Sequence, residues 1–335
     1  MPIKINAPLN LVLVGCGKVS QTYLKAISKI PGCSLKSVVD ICEEKAKSTA
    51  RALGCKAFTD YRQALDDNHL DAAVICTPPN HHAEISIFFL GNKIHVLCEK
   101  PLALNSDQAA LMFQKAEENK CILMMASKYR FVEDIIRAKE ILSSGILGRV
   151  KFFKNVFQTQ IDMGGCWRSK KRISGGGVLI DNGSHSVDIV RFLQGPIVKV
   201  KAEEKEKIQS LNVEDNVHLH LRTRLYSIGT AALSWSINGD QESYLDIIAT
   251  KGILSVGWKC SKYKKINESD WVMFGGGYNK LKAFIRQVKN FANSIKGLER
   301  PLISAEDGIE SVRVIETAYR SLKMNRWLEV KSAID

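Results

Sequence analysis

The chain opens on a rhythm of short apolar runs separated by amphipathic stretches. Leu9–Val14 (LNLVLV) is almost continuously apolar, the pattern of a strand buried on both faces of a parallel sheet. A helical stretch runs on to about Ile30, and Pro31-Gly32 marks a turn. Leu35–Asp40 predicts a second strand and Glu43–Leu53 the next helix, with Gly54 at its C-cap. Strands follow near Lys56–Phe58 and over Asp71–Cys76, then a helix over Ala83–Leu90 closed by Gly91. A strand over Ile94–Glu99, a helix over Asp107–Asn119 and a strand over Cys121–Ser127 complete the series. Strand–helix units connected this briefly predict an α/β domain built on a doubly wound parallel sheet with right-handed crossovers.

After Gly148 the pattern changes. The run VKFFKNVFQTQ and segments near Val198–Lys205, Asn216–Arg224, Gly229–Ser236 and Tyr244–Ala249 come with few helices between them. They predict an α+β domain with an open, mostly antiparallel sheet. One helix, Val178–Leu193, interrupts the strands early, and helices over Lys280–Lys296 and Ala305–Lys323 close the chain. A length of 335 residues suits two domains, and the change of texture sets them at 1–128 and 129–335. They meet at a junction near residues 130–150 without a tether, and the terminal helices are free to pack back on the first domain.

Composition narrows the class. A hydrophobic content of 45% and a charged content of 25% exclude a disordered chain. No apolar run reaches the roughly 18 residues of a membrane helix. Met1 to Asn10 lacks an apolar signal core, so a cytoplasmic protein with no membrane partner is expected. The nine cysteines include no C-x-x-C pair, and Cys76, Cys98 and Cys121 sit in or at the edge of apolar strands. Buried reduced thiols, and no metal, fit that usage. The net charge of +13 comes from lysines scattered from Lys4 to Lys331 without a nucleic-acid module, so no nucleic-acid partner is expected. It serves a solvated surface or surrounds an anionic substrate, and the total does not separate the two.

Candidate chemistry begins at Gly15-Cys16-Gly17-Lys18-Val19-Ser20, which follows the first strand and opens the first helix. Gly15 permits a tight turn, Gly17 lets backbone approach a pyrophosphate, and the helix N-terminus offers free N–H groups. Ser20 stands where a third glycine is usual, and is small enough for close helix–strand packing. Asp40 ends the second strand at the place of an acid that accepts the ribose hydroxyls of a dinucleotide. Its alternative role is N-cap of the next helix. Asp40 repels a 2′-phosphate and Ile41 supplies no arginine for one, so NAD is favoured over NADP.

Two strand ends and one later cluster then add a resemblance that spans the whole chain. Thr77-Pro78-Pro79-Asn80-His81-His82 follows the fourth strand and Glu99-Lys100-Pro101 the fifth. Trp167-Arg168 precedes Gly175-Gly176-Gly177-Val178-Leu179-Ile180-Asp181-Asn182-Gly183-Ser184-His185-Ser186-Val187-Asp188. These resemble the T-P-x-x-x-H, E-K-P, W-R and G-G-G-x-x-x-D-x-G-x-H-x-x-D patterns of the glucose–fructose oxidoreductase and inositol dehydrogenase (Gfo/Idh/MocA) family.

The resemblance implies a Rossmann domain for NAD and a second domain for a sugar-like substrate. It also implies hydride transfer at a secondary ring hydroxyl, and self-association as a homodimer or homotetramer through the open sheet. It assigns Gly15, Cys16, Gly17, Lys18, Val19, Asp40, Thr77, Pro78, His82, Glu99 and Lys100 to the cofactor. Lys100, Trp167, Arg168, Asp181 and His185 are assigned to the substrate, with Lys100, Asp181 and His185 catalytic. A lysine at a strand's C-terminal end can stabilise an alkoxide, and a histidine can take the hydroxyl proton near neutral pH. Asp181, four residues before His185, shares its helical face and can orient it. Without the resemblance, Lys100 reads as a surface lysine, Asp181 as an N-cap and His185 as a core histidine. Asp188 and Arg130 read as braces, Asn80 as a helix cap and His81 as solvent-facing.

The run Arg168-Ser169-Lys170-Lys171-Arg172 departs from the mixed character usual there, and is either a solvated loop or cover for an anionic or nucleotide-linked sugar. Two further functions stay open from the same resemblance: a glycosidase that oxidises transiently and regenerates NAD, and a non-catalytic dinucleotide-binding regulator.

Overall fold

The computed structural model describes residues 8–65 and 69–331. It divides into two compact units, Met1–Lys128 with Lys280–Ile309, and Tyr129–Asn279 with Glu310–Asp335.

The first unit carries β1 (Leu9–Val14), α1 (Ser20–Ile27), β2 (Cys33–Val39), α2 (Glu43–Leu53) and β3 (Lys56–Phe58). It continues with β4 (Ala72–Ile75), α3 (His82–Gly91), β5 (His95–Glu99), α4 (Ser106–Glu118) and β6 (Leu123–Ala126). The strands form one parallel sheet in the order β3-β2-β1-β4-β5-β6. The apolar runs are buried as expected of strands covered on both faces, with Leu9, Val12, Leu13, Ala72, Val74 and Leu97 at zero exposure. The strand order reverses between β1 and β4, and ligands of such sheets bind at the C-terminal strand ends beside that reversal. Gly54 closes α2 in the left-handed conformation at φ 65°, as expected. Gly91 does not close α3: it is the last helical residue, and Lys93, at φ 61°, makes the reversal instead.

The second unit begins with α5 (Glu133–Ser143), inside the stretch expected to be a plain junction. Glu133 and Asp134 open this helix, and Ile135 and Ala138 bury its apolar side. Then come β7 (Val150–Gln158), α6 (Lys171–Ser174), α7 (Val178–Gln194), β8 (Ile197–Glu204), β9 (Asn216–Thr223), β10 (Ile228–Ser234) and β11 (Ser243–Ala249). Three strands absent from the sequence reading follow: β12 (Gly252–Gly257), β13 (Ser261–Lys265) and β14 (Val272–Gly275). Helix α8 (Lys280–Ile295) belongs to the first unit, the division falls within α9 (Ala305–Met324), and β15 (Leu328–Glu329) ends the fold.

The sheet order is β14-β13-β12-β11-β7-β10-β9-β8-β15, and among the described residues only β7 and β10 pair in parallel. Period-two alternation turns Val217, Leu219 and Leu221 of β9 inward, with Ala231 and Leu233 of β10, and α7 packs against β9 and β10. On the opposite face the register aligns Ile228, Phe152, Ile248 and Ile253 in one row across four strands, all partly exposed. Arg222 and Lys264 bound that row. Among the described residues no helix is long and apolar enough to cross a membrane.

Candidate functional site

In the first unit the site grows from the turn after β1. Gly15 adopts φ +97°, and a Cβ there would lie 2.8–2.9 Å from the Cys76 and Thr77 backbone, so both the conformation and the space demand glycine. Gly17 is different: its Cβ position faces open space. Ser20 is fully buried and donates to the Gly17 carbonyl at 2.6 Å, which closes the turn onto the helix. No side chain caps the start of α1, so its first N–H groups remain available for an anion. Lys18 is exposed and Val19 half-buried at this junction.

Asp40 does not cap α2, whose N-cap is Cys42. Its carboxylate instead accepts the Cys16 N–H at 2.8 Å and the Cys42 N–H at 2.9 Å, which ties the end of β2 to the glycine turn. Burial pushes the Cys16 thiol up to about 11, so it stays protonated beside that carboxylate.

Next along the sheet lie the two strand-end motifs. Pro78 is extended before the short turn Pro79–His81, and the Thr77 Oγ1 is buried with no hydrogen-bond partner among the described residues. Asn80 does not cap α3; its amide lies 3.1 Å from the exposed His81 ring. His82 is fully buried, with Nδ1 2.8 Å from the Pro101 carbonyl and Nε2 2.8 Å from the Thr77 carbonyl. It therefore joins the turn after β4 to the turn after β5. Burial lowers its pKa, and the neutral ring donates to one of those carbonyls. The Lys100–Pro101 bond is cis. Glu99 accepts from the Tyr23 hydroxyl at 2.8 Å and from the Lys100 N–H at 3.2 Å, and burial raises its pKa. Gln287 of α8 donates to Tyr23, so Lys100, half-buried, sits on a braced strand end.

In the second unit the candidates gather on and beside α7. Arg168 stacks over Trp167, with its guanidinium carbon 4.6 Å from the ring centroid, and its Nε lies 3.7 Å from Asp181. His185 is 8% exposed and meets Tyr129 edge-on at 5.0 Å. Asp181 lies in the first turn of α7 without capping it; the N-cap is Gly177. Asp188 is fully buried and paired with the buried Arg130 at 2.7 Å. Lys170, Lys171 and Arg172 are exposed.

Sequence reasoning missed the residues that hold this arrangement. Glu214 and Tyr319 press on the start of α7, and a Cβ on Gly177 or Gly176 would overlap the Glu214 carbonyl or the Tyr319 hydroxyl respectively. The Gln209 side chain accepts from Met163 N at 2.9 Å and donates to the Ile161 carbonyl at 2.9 Å, anchoring the approach to Trp167. Neither has a local motif; each acts across tens of residues. Among the described residues no three His, Cys, Asp or Glu side chains gather as a metal site.

A six-stranded parallel sheet with a glycine turn and an acid at the end of β2 defines a dinucleotide-binding protein with a second, sheet-based unit. Residues 9–127 match the model of the oxidoreductase family with an NAD-binding Rossmann fold, and residues 135–255 match the GFO/IDH/MocA C-terminal domain. The chain belongs to that family, and its first unit is an NAD-binding Rossmann domain.

Myo-inositol 2-dehydrogenase of Thermotoga maritima is 23% identical over 97% of this chain and 100% of its own length. Levoglucosan dehydrogenase, solved with NADH and levoglucosan, superposes with TM-score 0.89 at 22% identity over 97% of this chain and 99% of its own. The WlbA dehydrogenase of Bordetella pertussis, solved with NADH and UDP-GlcNAcA, gives TM-score 0.87 at 21% identity over 98% and 99%.

Proposed function

We propose that the chain is an NAD-dependent dehydrogenase acting on a secondary ring hydroxyl of a sugar, an inositol or a sugar derivative. The observation that carries this is the presence of two sets of residues, one in each unit. One is an uncapped helix start with Asp40 beside it; the other is a helix that places Asp181 and His185 one turn apart. The cofactor's fit rests on the open space at Gly17 and the unpartnered Thr77 hydroxyl.

Bound NAD supplies the hydride acceptor. The reaction converts a secondary alcohol and NAD to a ketone, NADH and one proton. His185 takes the hydroxyl proton at its imidazole, which Asp181 orients. Lys100 donates to the same oxygen and favours its alkoxide. Trp167 and Arg168 bind the ring, and the Arg168 guanidinium lies beside Asp181 within the same unit. Gly15, Cys16, Gly17, Lys18 and Val19 would hold the pyrophosphate of NAD, and Asp40 its adenosine ribose. Thr77, Pro78, His82 and Glu99 shape the pocket of the nicotinamide end.

Substrate binding falls to the domain of residues 129–335 and self-association to its outer sheet face. The apolar row of Ile228, Phe152, Ile248 and Ile253 supports a homo-oligomer. Nine unpaired cysteines support a reducing, cytoplasmic setting.

Cyclic polyols, free sugars, sugar phosphates and nucleotide sugars, screened by NADH absorbance, test the reading. One class should yield stoichiometric NADH. Product formation without NADH accumulation would replace the dehydrogenase with the transient-oxidation glycosidase, and no turnover with any class would leave a dinucleotide-binding regulator.

A further inference from the structure

An α-helix begins with N–H groups that have no partner within the helix, and the residue just before it usually supplies the cap. In α7 that residue is Gly177, which has no side chain to offer. One distant residue fills the role. The Glu214 Oε1 accepts from Gly177 N at 2.8 Å and from Leu179 N at 3.2 Å, and the Glu214 carbonyl accepts from Val178 N at 2.9 Å. The Tyr319 hydroxyl donates to the same Oε1 at 2.7 Å.

We propose that Glu214 is a positioning residue for the reaction: it clamps the first turn of α7 and thereby fixes where Asp181 and His185 stand. This rests on the reading that those two side chains work on the substrate.

Stiffness carries the effect. Each residue of an α-helix is set about 100° and 1.5 Å from the last, so a fixed first turn fixes the direction of every later side chain. Asp181 follows at once, since its N–H donates to the Gly177 carbonyl at 3.1 Å. His185 lies one turn further. Two of the three glycines have their explanation here: side chains at Gly176 and Gly177 would occupy the space that Tyr319 and Glu214 take.

Every partner of the Glu214 carboxylate in this clamp is a donor, and the positive end of the helix dipole faces it. These bonds and the dipole favour the anion, while burial opposes it and raises the pKa. All three side-chain bonds reach one oxygen, so a glutamine can keep them without the charge.

The test uses the full-length protein with Glu214→Ala, Glu214→Asp and Glu214→Gln. Amide hydrogen exchange is followed in peptides covering residues 177–185, and kinetics are run with the best substrate of the screen. Glu214→Ala should speed exchange in those peptides about tenfold or more, with peptides of β1 unchanged. It should lower kcat roughly 10- to 100-fold, as misplaced groups do, with KM for NAD within about twofold. Glu214→Gln should stay within about threefold of wild type in both readings.

The proposal fails if Glu214→Ala leaves exchange at 177–185 unchanged, or if its kcat per folded molecule equals wild type. It also fails if Glu214→Gln is as impaired as Glu214→Ala. Should the alanine variant not fold, Glu214→Asp, which withdraws the carboxylate by one methylene, decides by the same two readings. If wild type oxidises no substrate, the dehydrogenase reading falls, while the exchange data still decide whether Glu214 clamps the helix.

Discussion

The two glycine motifs of this chain do opposite things with the same residue. In the first, Gly15 takes a positive φ against the close Cys76 and Thr77 backbone, while Gly17 leaves space open beside the backbone. At Gly176–Gly177 neither residue has a positive φ, and the missing side chains admit Glu214 and Tyr319 until no space remains. At Gly17 the first motif keeps room for something that arrives later; the second is a packing solution already complete. A glycine cluster beside a functional helix therefore identifies a close approach without saying whether a ligand or the protein itself makes it.

Substitutions sharpen that contrast. The largest effect is expected at the proposed catalytic residues: Lys100→Ala or His185→Ala should lower kcat by roughly two to four orders of magnitude in steady-state assays. NAD affinity by calorimetry should survive the His185 change, and near-normal turnover in both variants would mean the chemistry lies elsewhere. Gly177→Ala forces a Cβ into the Glu214 backbone and should destabilise the protein by about 1–3 kcal/mol or more in chemical denaturation. Gly17→Ala, with open space around it, should leave denaturation almost unchanged and weaken NAD binding instead. Equal stability losses at the two sites would erase the distinction.

Asp40→Ala should narrow the preference for NAD over NADP by about tenfold, a charge effect of order 1–2 kcal/mol. Calorimetry in which the wild type prefers NADP would overturn the cofactor assignment.

A pH effect follows from His82. Its folded pKa is lowered, so the unfolded chain takes up a proton first as the pH falls. Stability is then full above the unfolded value near 6.5 and declines as the pH drops through it toward the folded value. Thermal unfolding from pH 8 to 5 should show that slope, and His82→Gln should flatten part of it. The smallest effect is expected from neutralising Lys170, Lys171 and Arg172 together. These side chains are exposed, so KM should change by less than about threefold. A larger rise confined to anionic substrates would bring the loop into the site.

The first unit was largely readable because its signals are contiguous. The run Leu9–Val14, the Gly15–Ser20 turn and Asp40 each follow from neighbours in the chain, and the strand spans Leu9–Val14 and Lys56–Phe58 match their expected bounds. In the second unit the helix carrying Asp181 and His185 was readable, while its supports were not. Glu214 lies 37 residues from Gly177 and reads locally as one more solvated acid; Tyr319 lies 105 residues from Glu214. Strand β13, with the sequence SKYKK, has three lysines in five residues, so its charge hid a pairing that comes from β12. Helix α5 was overlooked because its amphipathic pattern coincides with the change of texture between domains. Asp40 was read as a ribose ligand or an N-cap, and its bond to Cys16 N shows a third use, since backbone closure of the turn leaves no trace in sequence.

One consequence concerns synthesis on the ribosome. Tyr23 of α1 is fully buried, packs on Phe284 of α8 at 4.8 Å and binds Gln287, both more than two hundred and fifty residues downstream. The parallel sheet therefore emerges before one of its walls, which waits on the translation of Lys280–Ile295. A nascent chain stalled after residue 128 carries the complete parallel sheet with an apolar helix face uncovered, a natural substrate for chaperones. Its folding is completed only by a helix encoded far downstream of the sheet it covers.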